Sequence, residues 1–371
     1  HPRVRRQRHM CIRDRLSTDR TWEVIKNYNI GLDFGFLDNR LTGTAELFWK
    51  KCNNMLIDVT YPGTLGDKAP TANRGSFKAN GWEGTINWSD KIGEISYHLG
   101  GTFTYTTNKL VDNGGDAVIK SGVVSNREGY PLNSVFGLKY CGKIQTQDQL
   151  DKYINQYANG NNNIAMPGNL RLGDNMYEDV NKDGKLTEAD YVYLGTDDPK
   201  VSFSFNAGLS WKGFDVSVIF QGAGKRTVWR GGENNQKGKN DNWRIPMMSW
   251  YNNSTNQSVG NVWSAETPNA HYPTYTHQTQ INLYNYICSS WSVEDGAYLR
   301  LKNVTLGYTF PANVLSKTKF ISYARIYVSG ADLWENSKIK DGWDPEASRK
   351  VETFGRYPFT RNLTVGLNLT F

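Results

Sequence analysis

The chain lacks any long hydrophobic run: nowhere in its 371 residues does a stretch approach the roughly 18 consecutive apolar residues that a membrane helix needs. That excludes a helical membrane protein. It leaves a barrel open, because strands that alternate apolar and polar residues average out to mild hydrophilicity. Cysteine is sparse too. Cys11, Cys52, Cys141 and Cys288 stand far apart without a CxxC pair, so a zinc site, a thioredoxin motif and a dense disulfide framework all lack support. The five histidines (His1, His9, His98, His271 and His277) show no metal spacing apart from the loop pair His271 and His277. No nucleophile stands beside a base, and no phosphate-cradling glycine loop is present. No two acids stand out as the pair a glycoside hydrolase requires. The reading is of a protein that is not an enzyme.

The net charge of +7 is concentrated at one end: residues 1–16 carry Arg3, Arg5, Arg6, Arg8, Arg13 and Arg15 against Asp14 alone. A nucleic-acid footprint belongs on a folded face, so no nucleic-acid partner is expected. The same segment has neither a strand nor a helix pattern and no secretory apolar region. It resembles a translated sequencing-adapter tail. Residues 1–16 are therefore expected to be a non-native or disordered tail, with residues 17–371 as the folded part.

From position 22 the dominant signal is alternation, the mark of a half-buried strand. Tyr28, Ile30, Leu32, Phe34 and Phe36 share one face; Ile95, Tyr97, Leu99, Gly101, Phe103 and Tyr105 share another. Comparable runs lie at 82–88, 201–211, 214–220, 299–310 (with a register change near Asn303) and 324–328. The last comprises Leu363, Val365, Leu367, Leu369 and the terminal Phe371. About nine long strands result, and helical periodicity is nearly absent. Tight turns at Leu37–Arg40, Ser89–Lys91 and Lys212–Gly213 alternate with long polar segments near 58–73, 109–200, 227–295 and 333–357. Such loops are rare in compact soluble domains, whereas outer-membrane barrels combine short turns on one side with long loops on the other. Aromatic residues at strand ends, such as Trp22, Tyr28, Trp49, Trp82, Trp88, Trp211 and Tyr308, suit an interfacial girdle. The fold class expected is all-β, a partial transmembrane antiparallel β-barrel. Nine strands alone leave two costly edges in lipid, so more strands are expected before position 20.

Several segments resemble the barrel of SusC/RagA-like TonB-dependent receptors. They are Thr21-Trp22-Glu23 with Tyr28 to Asp33, Asn73-Arg74-Gly75 with Gly81-Trp82-Glu83, and Asn133 to Leu138. Gly173-Asp174 to Asp190, Val293 to Tyr308 and Tyr357 to Phe371 complete the set, so the likeness covers nearly everything from about position 20. It implies a 22-stranded transporter in the cell outer membrane, of which this chain would hold strands 14 to 22. It also implies a SusD-like lid lipoprotein, energy from the TonB complex through a part absent here, and oligosaccharide or peptide cargo. In such proteins an aromatic C-terminus like Phe371 resembles the signal read by the barrel-assembly machinery.

Two candidate sites follow. Asp179, Asn181 and Asp183 place oxygens at positions 1, 3 and 5 of an EF-hand-type loop, Gly184 allows the turn at 6, Lys185 offers its carbonyl and Asp190 ends the loop. Calcium is the cofactor this suggests, without the EF-hand helices; the plain alternative is an Asx-rich turn. Trp229, Trp243, Trp250, Trp263, Tyr272 and Tyr275 stand among Asn, Gln and Gly, which suits sugar stacking, or a loop packing against itself. The competing function is a secreted, calcium-containing carbohydrate-binding β-protein, which would have shorter strands and smaller loops.

Overall fold

The computed structural model describes residues 20–58, 71–114, 124–157, 167–229, 260–276, 278–318, 320–339, 344–346 and 360–371. The tail expected at 1–16 lies outside them. Nine long strands build one antiparallel sheet in chain order. They are β1 (Val24–Phe36), β2 (Leu41–Asp58), β3 (Thr71–Ile92), β4 (Ile95–Asn113) and β5 (Val201–Trp211). The rest are β6 (Phe214–Ala223), β7 (Tyr298–Thr309), β8 (Tyr323–Ser337) and β9 (Asn362–Thr370). The sheet does not close, because β1 and β9 each pair on one side only.

Register fixes the two faces. Ile30 stands opposite Leu47, Leu47 opposite Trp82 and Trp82 opposite Tyr105. Farther on, Leu209 faces Val216, Val216 faces Leu306, Leu306 faces Val328 and Val328 faces Val365. A single apolar face thus crosses all nine strands. The other face is polar, with Thr44 and Thr85 hydroxyls 2.8 Å apart, Thr102 and Ser204 2.8 Å apart, and Arg325 Nε donating to Asp215 Oδ1 at 3.0 Å. The register change expected near Asn303 is a bulge between Leu301 and Asn303.

Burial runs opposite to that of a soluble sandwich. On strands with neighbours on both sides, apolar-face residues stay exposed: Ile86 at 55% and Leu306 at 53%. At the long-connection end of the polar face, Leu110, Asn113 and Arg300 are fully buried. The polar side is therefore covered at that end, while the apolar side is bare along the sheet.

The short connections share one end. Leu37, Asp38 and Asn39 all take positive φ in the first turn, and Lys212 and Gly213 do so in a two-residue hairpin turn that matches the twist of its strands. The turn expected at Ser89–Lys91 is displaced. β3 runs through to Ile92, and Gly93 at φ +61 turns the chain, because two-residue hairpins favour glycine there over an Asx side chain. The long connections share the other end and hold most of the core. The segments read as polar loops contain α1 (Gln147–Tyr157), α2 (Thr279–Asn285) and short strands at 134–137, 140–143, 175–177 and 192–196. Helix is confined to short segments, in keeping with its near-absence from the periodicity. α1 buries Leu150, Tyr153 and Tyr157 and packs the partly buried Ile154 beside them, the i, i+3, i+4, i+7 stripe of a core-facing helix.

Candidate functional site

The folded connections form a cap. Phe136, Leu138, Ile144, Leu150, Tyr177, Leu186 and Tyr284 pack in one buried cluster drawn from two connections far apart in sequence. A buried polar knot ties them together. Tyr153 and Tyr284 hydroxyls lie 2.7 Å apart, and the Tyr177 amide donates to Tyr153 Oη at 2.9 Å. Asn285 Nδ2 donates to Asp174 Oδ1 at 2.8 Å, and the Asn175 amide donates to Asn285 Oδ1 at 2.8 Å. Burial pushes the Asp174 carboxyl up and raises the Tyr153, Tyr177 and Tyr284 phenols, so all four groups are held toward their neutral forms.

The Asp179–Asp190 loop lies in this cap. Asp179 accepts from the Asp183 and Gly184 amides at 3.2 and 2.7 Å. Fully buried Asp190 accepts from Val180, Asn181 and Thr187 amides at 2.9, 3.3 and 2.8 Å. Gly184 takes φ +78 where the loop turns. Asn181 Nδ2 donates to Asp183 Oδ2 at 3.2 Å. The loop's carboxylates thus already hold backbone donors, a geometry common to an Asx-rich turn and to a calcium loop. Among the described residues, no group of three or more His, Cys, Asp or Glu side chains is placed to hold a metal ion.

The aromatic candidates separate. Trp243 and Trp250 lie outside the described residues. Trp229 is buried against Val135 and Cys288. Trp263 donates from Nε1 to Gln145 Oε1 at 2.8 Å, and Tyr272 packs with Tyr286 and Trp291. Tyr275 is exposed. The described rings therefore pack the cap more than they line one groove.

The sequence reading missed the charged cluster where cap meets wall. Arg300 Nε donates to Glu335 Oε2 at 2.8 Å and its Nη2 donates to Asp344 Oδ1 at 2.7 Å. Its Nη1 lies 3.0 Å from Glu346 Oε2, which also receives Lys302 Nζ at 2.8 Å. Arg226 Nη1 donates to the Pro345 carbonyl at 3.1 Å and its Nη2 to Asp197 at 2.9 Å. Arg300 and Lys302 on β7, with Arg226 just beyond β6, thus hold the Asp344-Pro345-Glu346 segment. Beside it opens a pocket of about 740 Å³, lined by Thr102, Thr104, Ser202, Ser204 and Gln221 on one side and Arg226, Tyr298 and Glu346 on the other. The acids of Asp-Pro-Glu are visible in the sequence; their cationic partners, roughly 45 and 120 residues earlier, are not. The pocket sets hydroxyl and amide groups beside the apolar Phe203, Ile219 and Ala223, and its charges are already paired, which suits a polar ligand with apolar faces.

No protein-family model matches the chain. It is similar to TonB-dependent receptor P26 of Formosa agariphila, at 27% identity over 95% of this chain and 35% of that protein. It is also similar to TonB-dependent receptor SusC of Bacteroides thetaiotaomicron, at 24% identity over 94% of this chain and 32% of that protein. Among solved structures, the RagAB peptide importer in its closed-closed state matches with a TM-score of 0.70 at 21% identity, covering 95% of this chain and 36% of that one. The chain spans about a third of the length of the curated relatives it matches. The structural match identifies the sheet as barrel-type wall.

Proposed function

We propose that this chain, whose homologues are TonB-dependent receptors of the SusC/RagA-like class, serves nutrient import across the outer membrane as wall and cap of a larger barrel. The observation that carries this reading is a continuous apolar face left bare across nine strands, while the cover that the sheet has lies over the long-connection end of its polar face. In water that arrangement costs about 25 cal/mol per Å² of apolar surface left exposed; in lipid the term vanishes. The bare face is the lipid face, and the polar face lines the lumen. From Tyr28 to Phe36 the apolar row of β1 spans eight residues, roughly 26 Å along the strand, which suits the apolar band of a tilted barrel. The cap then lies outside the cell, and the tight turns face the periplasm.

The polar pocket beneath the cap supports an oligosaccharide or a peptide as cargo, taken up with a SusD-like lid lipoprotein and driven by the TonB complex. Phe371, exposed beside stacked Phe320, is available to the barrel-assembly machinery. Calcium belongs to this proposal as a stiffener of the Asp179–Asp190 loop. The test uses the full-length protein that carries this chain. A folded barrel migrates faster on a detergent gel before boiling than after, and its cargo uptake stops when TonB is deleted. A protein with no mobility shift would sink the barrel; uptake that survives TonB deletion would sink the energised route.

A further inference from the structure

The register brings four lysines into one line. Lys26 on β1 faces Lys51 on β2, Lys51 faces Lys78 on β3, and Lys78 faces Lys109 on β4. Strand alternation puts all four on the apolar face, at its long-connection end: Lys26 stands two residues beyond Tyr28, and Lys51 two beyond Trp49. Lys78 and Lys109 stand four beyond Trp82 and Tyr105 on the same face. All four are exposed. Among the described residues no ion pair joins any of them to an acid, whereas at the opposite end Arg40 pairs with Asp90 and Lys212 with Glu94. Asp112, three residues beyond Lys109, accepts the Gly114 amide at 2.8 Å.

Like charges directly opposite each other destabilise a strand pair, and here three such pairs follow in succession. Neither a random surface nor a sheet selected for stability alone would keep them. Their level explains them. The row lies roughly 7 Å beyond Tyr28 and Trp49 on β1 and β2 and roughly 13 Å beyond Trp82 and Tyr105 on β3 and β4, and aromatic rings of that kind mark the depth of lipid headgroups. A lysine stem lies along apolar surface while its ammonium reaches the polar layer. Four such groups across three strand spacings cover roughly 14 Å, the width of a headgroup carrying one or two phosphates.

We propose that Lys26, Lys51, Lys78 and Lys109 form a binding site for phosphate-bearing lipid headgroups in the leaflet on the cap side. The site rests on the outer-membrane reading above. It takes lipid rather than free phosphate, because the ammonium groups stand at the border of an apolar surface that only an acyl chain would cover.

The test uses the full-length protein that carries this chain, purified in a neutral detergent. Diphosphoryl lipid A is the probe, with dephosphorylated lipid A and inorganic phosphate as comparisons, and binding is read by native mass spectrometry. Lipid A is expected to bind in preference to its dephosphorylated form, and more weakly as salt rises. Each Lys→Gln change is expected to weaken binding about fivefold, so that the quadruple variant loses several hundredfold. Equal binding of both lipids, undiminished binding by the quadruple variant, or full competition by millimolar inorganic phosphate each overturns the site. Should the quadruple variant fail to fold, the single changes K51Q and K78Q decide the matter on the same scale. The gel mobility shift is recorded on every sample. Its loss in the wild type overturns the barrel reading, whereas a shifted barrel without lipid preference overturns this site alone.

Discussion

At the scale of single residues, the cap depends on a few buried groups that the sequence names without revealing their partners. Asp190 receives three backbone amides in part-buried surroundings, and its replacement by Ala leaves three donors without this acceptor. A buried donor left unsatisfied costs about 1–3 kcal/mol, and water reaches Val180 and Asn181, so the local stability of the cap should fall by about 1–3 kcal/mol in all. D190N keeps an oxygen for Val180 and Asn181 and loses the acceptor for Thr187, so its effect should be smaller. Hydrogen exchange over residues 178–192 reads both. Protection in D190A equal to wild type would refute the structural role; added calcium should slow exchange further in wild type and leave D190A unchanged.

His271 gives a pH dependence. Its outer surface is exposed, but its ring lies edge-on to Tyr272 and tilted against Trp291, and this partial desolvation, with help from Lys143 and against Glu294, lowers its pKa below the ordinary imidazole value of 6.5. The folded cap therefore disfavours the imidazolium that the open loop accepts. The resulting stability is complete above about pH 6.5 and is lost as pH falls below it. Exchange over residues 260–276, corrected for its intrinsic rate, should be faster at pH 5.5 than at 7.5. H271Q should remove that difference.

Among elements, strands were the legible part and the cap was not. Alternation is a local, period-two property, so β1, β5, β6 and β9 are visible in single runs of sequence, and so is the bulge near Asn303. α1 carries helical spacing in Leu150, Tyr153, Ile154 and Tyr157, but it is a single short run amid Gln, Asp and Lys, and what buries it includes Tyr284 more than a hundred residues away. The calcium-like loop was legible as spacing, but the backbone donors that occupy its carboxylates were not. Glycine positions show how strands constrain one another. A Cβ on Gly81 would lie 2.2 Å from the Tyr105 carbonyl and 2.7 Å from the Phe48 ring. The backbone atom has no rotamer to escape into, so G81V should force β3 and β4 apart and cost at least the 1–3 kcal/mol of an overpacked core. A lower temperature for loss of the gel mobility shift would register it. An unchanged temperature would mean that the strands yield easily.

For the whole molecule, the decisive quantity is the free edge. β1 presents thirteen residues with one side unpaired, and β9 presents nine. Alternate residues point their N–H and C=O outward, so β1 alone carries roughly a dozen unpaired backbone groups, each costing several kcal/mol in hydrocarbon. The total is tens of kcal/mol, several times the 5–15 kcal/mol by which a folded domain exceeds its unfolded state. Cap packing cannot offset it, since the cap lies at the strand ends and leaves the edges uncovered. Expressed by itself in detergent, this chain is therefore expected to aggregate through β1 and to give no gel mobility shift. The full-length protein, whose remaining strands would pair both edges, should give one. Size-exclusion chromatography beside the gel distinguishes the outcomes: a monodisperse, heat-shifted species from this chain alone would mean that the nine strands close on themselves, and the claim of a larger barrel would fail.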